Sequence, residues 1–265
     1  LQTHPRRGVM RVPLAVLQGR YCGWRCFSRA NVWGSNRDEF RFSSPEESFD
    51  LLKVFYPRSI LDAIYRFPCD DASPQGWYSG TPFGPVDLIP VNGPNPQLAS
   101  YAALAFLGWN TFAEEDFQRL SSYVEQGGRL LLARPHLSTE TRRNRPSMLP
   151  EDSPALSCLI GNQAYDDSKV SRKLGKGAVV YFPQDEYPSK TVIRGDYEAE
   201  LRSMGELAAS AEARRGWIRG GEDVSFAAYD WEDGRLRTIY LLNIDHWSGR
   251  ASAPAHFLFG GKSYC

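Results

Sequence analysis

The feature that most constrains this chain is the stretch from Val86 to Pro135. Short apolar runs alternate there with segments of helical period. It reads VDLIPV, a short polar link, YAALAFLGWN, then TFAEEDFQRLSSYVEQGGRLLLARP. The pattern predicts strand, short helix, strand, helix, strand. The run Ala102 to Trp109 is short and nearly continuous, as expected of a strand buried on both faces. Thr111 is placed to cap the following helix, with Glu114 as its capping-box acid. Phe117, Leu120 and Val124 then share one helical face. Gly127 and Gly128 supply the permissive backbone that ends the helix. Arg129 to Ala133 (RLLLA) reads as the next buried strand. Strands joined through helices pair in parallel, so the expected fold is α/β, an open doubly wound, mainly parallel sheet.

The rest of the chain extends this plan. Arg11 to Gln18 (RVPLAVLQ) is expected to be the first strand. Gly19 to Phe42 is rich in Gly, Arg and aromatics and reads as a long loop. Ser44 and Glu47 mark a helix start, with Phe49, Leu52 and Phe55 or Tyr56 facing inward and Pro57 closing it. A second short helix is expected from Ser59 to Tyr65. Cys69 to Pro85 and Ser138 to Pro154 are dense in turn residues or charge and read as loops. Gly175 to Pro183 (GKGAVVYFP) reads as a turn and a strand returning to the sheet. Asp196 to Arg215 is a helix, with Leu201, Met204, Leu207 and Ala208 as its stripe.

After that the period changes. Val224 to Trp231, Leu236 to Asp245 and Ala255 to Phe259 follow one another without helices, and Asp233-Gly234 is a tight-turn signal between the first two. A small antiparallel β module is expected, with further strands supplied from elsewhere because three would be incomplete. The expected division is residues 1–220 for the α/β domain and 221–265 for the β module.

Composition narrows the function classes. With 31 basic and 31 acidic residues the net charge is zero, which points away from nucleic acid and anionic membrane surfaces. No apolar run approaches the roughly 20 residues that span a bilayer. The first residue is not Met, so a processed product or a segment of a longer chain is expected. Five cysteines, Cys22, Cys26, Cys69, Cys158 and Cys265, are odd in number and scattered, with no second pair and no nearby His to complete a zinc site, and read as free or structural. No metal and no cofactor is expected, and no P-loop is present. Aromatics reach 13%, enough for a well-filled core or for stacking on sugar rings.

In open α/β sheets ligands gather at the carboxyl ends of the strands. Reading those ends gives Trp109, Asn110, Arg134, His136, Asp185 and Glu186 as candidate binding residues. They offer stacking, a general base and paired carboxylates. The alternative reading is that they decorate loop starts. An amidotransferase-type nucleophile needs a Cys on a strained strand-to-helix turn, of G-x-C-x-G type. The turn after RLLLA carries Arg134-Pro135-His136 instead, and Cys22 is wrongly spaced, so no catalytic residue is assigned. His136 by itself is read as a polar loop histidine. Asp245 and His246 are adjacent on a strand and point to opposite faces, so they make a poor metal pair.

The segments TPFGPVDLIPV, LASYAALAFLGW and EEDFQRLSSYVEQGGRLLLA resemble the domain behind the barrel in bacterial β-galactosidases and related glycoside hydrolases. That trimerisation domain belongs to the class I glutamine-amidotransferase-like, flavodoxin-like group. The signature L-x-x-Y-V-x-x-G-G falls here on Leu120, Tyr123, Val124, Gly127 and Gly128. GKGAVVYFP is similar to the family's returning strand, and the strand-rich tail to its following β domain. Coverage is about residues 10–190 and 220–265. The resemblance implies a non-catalytic accessory or oligomerisation region of a carbohydrate-active enzyme, whose catalytic carboxylates sit on a separate barrel. Its implied partners are carbohydrate, a catalytic barrel domain or further copies of the chain. Two other readings stay open: a glycoside hydrolase in its own right, using Asp185 or Glu186 with His136, and a degenerate amidotransferase-like ligand-binding module.

Overall fold

A computed structural model describes residues 8–19, 48, 51–52, 54–56, 81–107, 113–137, 158–161, 169–184, 187–188, 193–219, 224–232, 237–243, 251 and 254–265. Six strands form a mixed sheet in the order β3-β2-β4-β5-β7-β6. They are β2 (Leu14–Gln18), β3 (Val86–Pro90), β4 (Ala103–Phe106), β5 (Arg129–Ala133), β6 (Val170–Leu174) and β7 (Gly177–Phe182). β2, β3, β4, β5 and β7 are parallel, and β6 is an antiparallel edge strand. Taken in chain order, the parallel strands run 2-1-3-4-5, one of the common orders of open α/β sheets.

The four inner strands are apolar at nearly every position because both faces are covered. Ala15, Leu17, Leu104, Phe106, Leu130, Leu132, Val179 and Tyr181 point to one face. Helix α2 (Glu114–Glu125) covers that face with Phe117, Leu120, Tyr123 and Val124. Leu14, Val16, Ala103, Ala105, Leu131, Ala133, Val180 and Phe182 point to the other. Helix α3 (Arg194–Glu212) covers it with Tyr197, Leu201, Met204 and Ala208. Leu51, Leu52, Val54 and Phe55 join this second layer, so the inward side of the expected first helix is buried there. The short helix α1 (Asn95–Ala99) links β3 to β4.

Several sequence expectations are corrected. RVPLAVLQ is not one strand. Pro13 has no N–H to continue a ladder, and the chain divides there into β1 (Val9–Arg11) and β2, which belong to different sheets. The α2 start is Ala113, which has no side-chain acceptor. The buried Asp116 carboxylate accepts the Ala113 N–H at 3.0 Å and ties the first turn from inside. Thr111, the expected cap, lies outside the described residues. Leu207 is 37% exposed and off the α3 stripe, whose place is taken by Tyr197 and Gly205. Gly205 lies against the Phe83 ring, where a Cβ would stand 2.5 Å from Phe83 Cδ2. The expected Ser59–Tyr65 helix, the loops at 20–42 and 138–154, and the Asp233-Gly234 turn lie outside the described residues.

The C-terminal strands build two small antiparallel sheets. One has the order β1-β9-β10, with β9 (Val224–Asp230) and β10 (Arg237–Asn243). The other has the order β12-β11-β8, with β8 (Trp217–Arg219), β11 (His256–Phe259) and β12 (Lys262–Tyr264). The expected need for strands from elsewhere is met by β1 and β8. Trp217, Ile218, Phe226 and Ala228 pack against Ala209 of α3, and the Trp217 indole N–H donates to the Phe83 carbonyl at 3.0 Å. An ionic cluster closes the seam. Arg237 meets Glu212 at 2.8 Å and Asp230 at 2.7 Å, donates to the Gly216 carbonyl and lies over the Trp217 ring. Arg11 bridges the same two carboxylates from β1.

Two outcomes follow. Arg237 and Glu212 side chains are only 5% and 7% exposed, so Arg237→Met strands a buried carboxylate that Arg11 only partly offsets. We expect a loss of about 3 kcal/mol in urea unfolding; a loss below about 1 kcal/mol contradicts this. A Cβ at Gly177 would sit 2.1 Å from the Gly128 carbonyl oxygen and 2.2 Å from that of Val124, both backbone. Gly177→Ala should therefore cost about 1–3 kcal/mol in the same assay, although its φ is ordinary.

Candidate functional site

The carboxyl ends of β2, β4, β5 and β7 lie along one edge of the sheet, where chemistry would be expected. Of the six candidate residues, the structure describes Arg134 and His136. Trp109, Asn110, Asp185 and Glu186 lie outside the described residues, and so does Cys22. Asp245 and His246 lie outside them too.

Arg134 and His136 belong to one 3-10 turn, Arg134–Leu137, that leaves β5 directly. Arg134 is half-buried at its start, while Pro135, His136 and Leu137 are buried. The turn has a local cause. Pro135 cannot donate to the sheet, so the strand stops, and the chain folds back far enough for His136 to meet the strand it has just left. The Ala133 N–H donates to His136 Nδ1 at 2.9 Å. That bond puts the imidazole proton on Nε2.

His136 is not a polar loop histidine, as the sequence suggests. It is fully buried within an aromatic cluster. Its ring stacks on Phe106 of β4, with centroids 5.9 Å apart and planes 24° from parallel. Tyr187 meets it edge-on at 5.4 Å, and Tyr197 of α3 lies at 6.2 Å. Phe182 at the end of β7 packs on Tyr197 at 5.2 Å. Both tyrosines turn their hydroxyls onto backbone. Tyr197 donates to the Phe106 carbonyl at 2.7 Å, and Tyr187 donates to the Pro135 carbonyl at 3.2 Å. The cluster therefore seals the ends of β4 and β5 and gives backbone groups there side-chain partners.

Electrostatics follow from this burial. Desolvation pushes the His136 imidazole down to about 3 from its ordinary 6.5. Its Nε2–H is buried without an acceptor among the described residues, so a second proton would add charge in apolar surroundings. Burial drives the Tyr197 phenol well above its usual range, which keeps it a neutral donor. His136 is thus uncharged at any physiological pH and faces ring surfaces. As placed, it is a packing group and not a general base.

Sequence reasoning missed Phe106, Phe182, Tyr187 and Tyr197 as the residues that define this edge. Tyr197 was within reach: with Leu201, Met204 and Ala208 it falls at i, i+4, i+7 and i+11 on α3. The turn after β5 holds neither Cys nor Ser. Among the described residues the free cysteines are Cys158 and Cys265, both exposed, and no three metal-ligating side chains cluster. Among those residues no helix is long and apolar enough to cross a membrane.

No protein-family model matches the chain, and no curated protein does. Among solved structures it is similar to Gan42B, a GH42 beta-galactosidase from G. stearothermophilus, at 14% identity and a TM-score of 0.46, over 96% of this chain and 38% of that one. A beta-galactosidase from the haloarchaeon Halorubrum lacusprofundi gives 14% identity and a TM-score of 0.45, over 89% and 35%. An exo-beta-1,4-mannosidase from Opitutaceae bacterium strain TAV5 gives 11% identity and a TM-score of 0.32, over 77% and 36%. The chain thus spans little more than a third of the length of each.

A histidine held neutral in the fold makes stability depend on pH. Unfolded, His136 takes up a proton near 6.5, whereas the folded residue does so only near 3. Its contribution is complete above pH 6.5 and is lost as pH falls through that window. Unfolding free energy should therefore fall with acid by up to about 1.4 kcal/mol per pH unit from this residue alone. His136→Gln, measured by urea unfolding between pH 7 and 4, should lack that component; parallel profiles would contradict the assignment.

Proposed function

We propose that this chain is a non-catalytic accessory or oligomerisation region of a carbohydrate-active enzyme, of glycoside-hydrolase type, contributing to assembly or to the sugar site. One observation carries the reading. The turn after β5, where an amidotransferase-type domain needs its nucleophile, is Arg134–Leu137, and its histidine is packed into the core with its proton on the wrong side for base catalysis at that edge. The signature at Leu120, Tyr123, Val124, Gly127 and Gly128 supports the family side of the reading. It spans the helix-to-strand joint at which α2 ends and β5 begins.

Such a region supplies a rigid platform. Its sheet is covered on both faces, and the β strands at the other end of α3 give it further surface. Hydrolytic carboxylates then come from elsewhere. Asp185 and Glu186 are the acids that the competing hydrolase reading would use.

The test is direct. The purified chain is assayed on a panel of aryl glycosides, alongside Asp185→Ala and Glu186→Ala. No turnover above the buffer rate is expected from any of the three. Turnover by the parent chain that either substitution abolishes would replace this reading with that of a hydrolase in its own right.

A further inference from the structure

The outer face of the sheet β1-β9-β10 is patterned unlike an ordinary solvent face. Strand residues alternate between the two sides. One side turns Phe226, Ala228 and Ile239 toward α3, together with Arg11, Asp230 and Arg237 of the ionic seam. The other side is built in cross-strand rows. Met10, Tyr229 and Thr238 form the first, Ala227 and Tyr240 the second, and Ser225 and Leu242 the third. None of these seven residues is charged. Solvent faces and edges of sheets ordinarily carry charge, yet every charged side chain of these three strands lies on the seam side.

The aromatic groups on the outer face are held in place. Tyr229 and Tyr240 meet edge to face, with centroids 5.8 Å apart and planes 85° from parallel. Trp231, two residues beyond Tyr229, donates its indole N–H to Thr238 Oγ1 at 2.7 Å. These three rings are half-buried. Met10 and Leu242, at the two ends of the face, are 41% and 64% exposed.

We propose that this face is a binding platform for a neutral carbohydrate chain. The proposal rests on the carbohydrate-active reading above and names where such a region meets sugar. A pyranose presents C–H bonds on its flat faces and hydroxyls around its rim. The C–H groups lie on the negative face of an aromatic ring. The rim hydroxyls pair with neutral oxygens: the Thr238 hydroxyl accepts from Trp231 and keeps its own proton to donate, and Ser225 offers a second hydroxyl. The lack of charge selects against other ligands. A nucleic acid or an acidic glycan would meet no cation on these seven positions. Rings already fixed against one another lose little freedom on binding, which favours a ligand that brings no charge of its own.

The test is a titration of the full chain labelled with carbon-13 at its methionine methyl groups. The probes are neutral β-linked tetrasaccharides of galactose, mannose and glucose, and an oligogalacturonate of equal length. Met10 lies on the platform, whereas Met204 of α3 is buried against the six-stranded sheet; Met10→Leu assigns the first signal. At least one neutral sugar should move the Met10 signal saturably and leave that of Met204 in place, and the oligogalacturonate should move neither. Trp231→Ala should weaken binding about tenfold, and Trp231→Phe, which keeps a ring, by no more than about threefold. No response to any neutral sugar overturns the proposal, and so does an equal response to the oligogalacturonate. Unchanged affinity in Trp231→Ala also overturns it. A Met10 signal that moves with protein concentration in the absence of sugar makes a second copy of the chain the occupant, and the proposal fails. Should Trp231→Ala not fold, the parent titration and Trp231→Phe decide. The titration reads binding and not turnover, so it fails or succeeds independently of the aryl glycoside assay.

Discussion

The structure depends on four strands being buried on both faces. β2, β4, β5 and β7 are covered on both faces, so their buried apolar residues are sorted by alternation into one of two layers. Burial on both faces also means that backbone groups at the strand ends must find partners within the protein. Along the carboxyl edge those partners are aromatic side chains with a polar tip. Tyr197 reaches the Phe106 carbonyl, Tyr187 the Pro135 carbonyl, and His136 the Ala133 N–H. These groups finish the sheet at the edge where open α/β sheets gather ligands.

A general base needs an accessible lone pair and a pKa near the working pH. His136 offers neither, because its Nδ1 lone pair is spent on the backbone and its ring is enclosed. The seam at the far end of α3 is built differently. There Arg237, Arg11, Glu212 and Asp230 hold β1, β9 and β10 to the helix through charge. Such a partly buried cluster demands its geometry, because one missing partner leaves an uncompensated charge. It fixes the orientation of the β strands more than it adds to net stability.

Much of this plan was legible in the residues. The inner strands announce themselves as continuous apolar runs, and α2 and α3 show the period of a helix with one covered face. The parallel order then follows from the crossovers. What stayed hidden is long-range. β1 and β8 are three residues each, too short for any period, and they exist because β9 and β11 recruit them. β6 is a half-polar edge strand, VSRKL, whose alternation is weak. β12 was signalled only by Gly260-Gly261. Leu207 looked like a core residue on composition, yet the helix turns it outward. At the site, the sequence could not say whether His136 faced water or the core. That depends on Pro135 ending the strand and on three rings contributed by β4, α3 and Tyr187.

The central claim is that His136 is a neutral packing group sealing the sheet edge. Its most direct test is a nitrogen-15 NMR titration of the histidine side chains in the intact chain. The account predicts an imidazole protonated at Nε2 alone, with Nδ1 shifted as a hydrogen-bond acceptor, and unchanged from pH 8 down to the acid limit of folding. A His136 resonance that converts to imidazolium near pH 6 would place that ring in water and contradict the account.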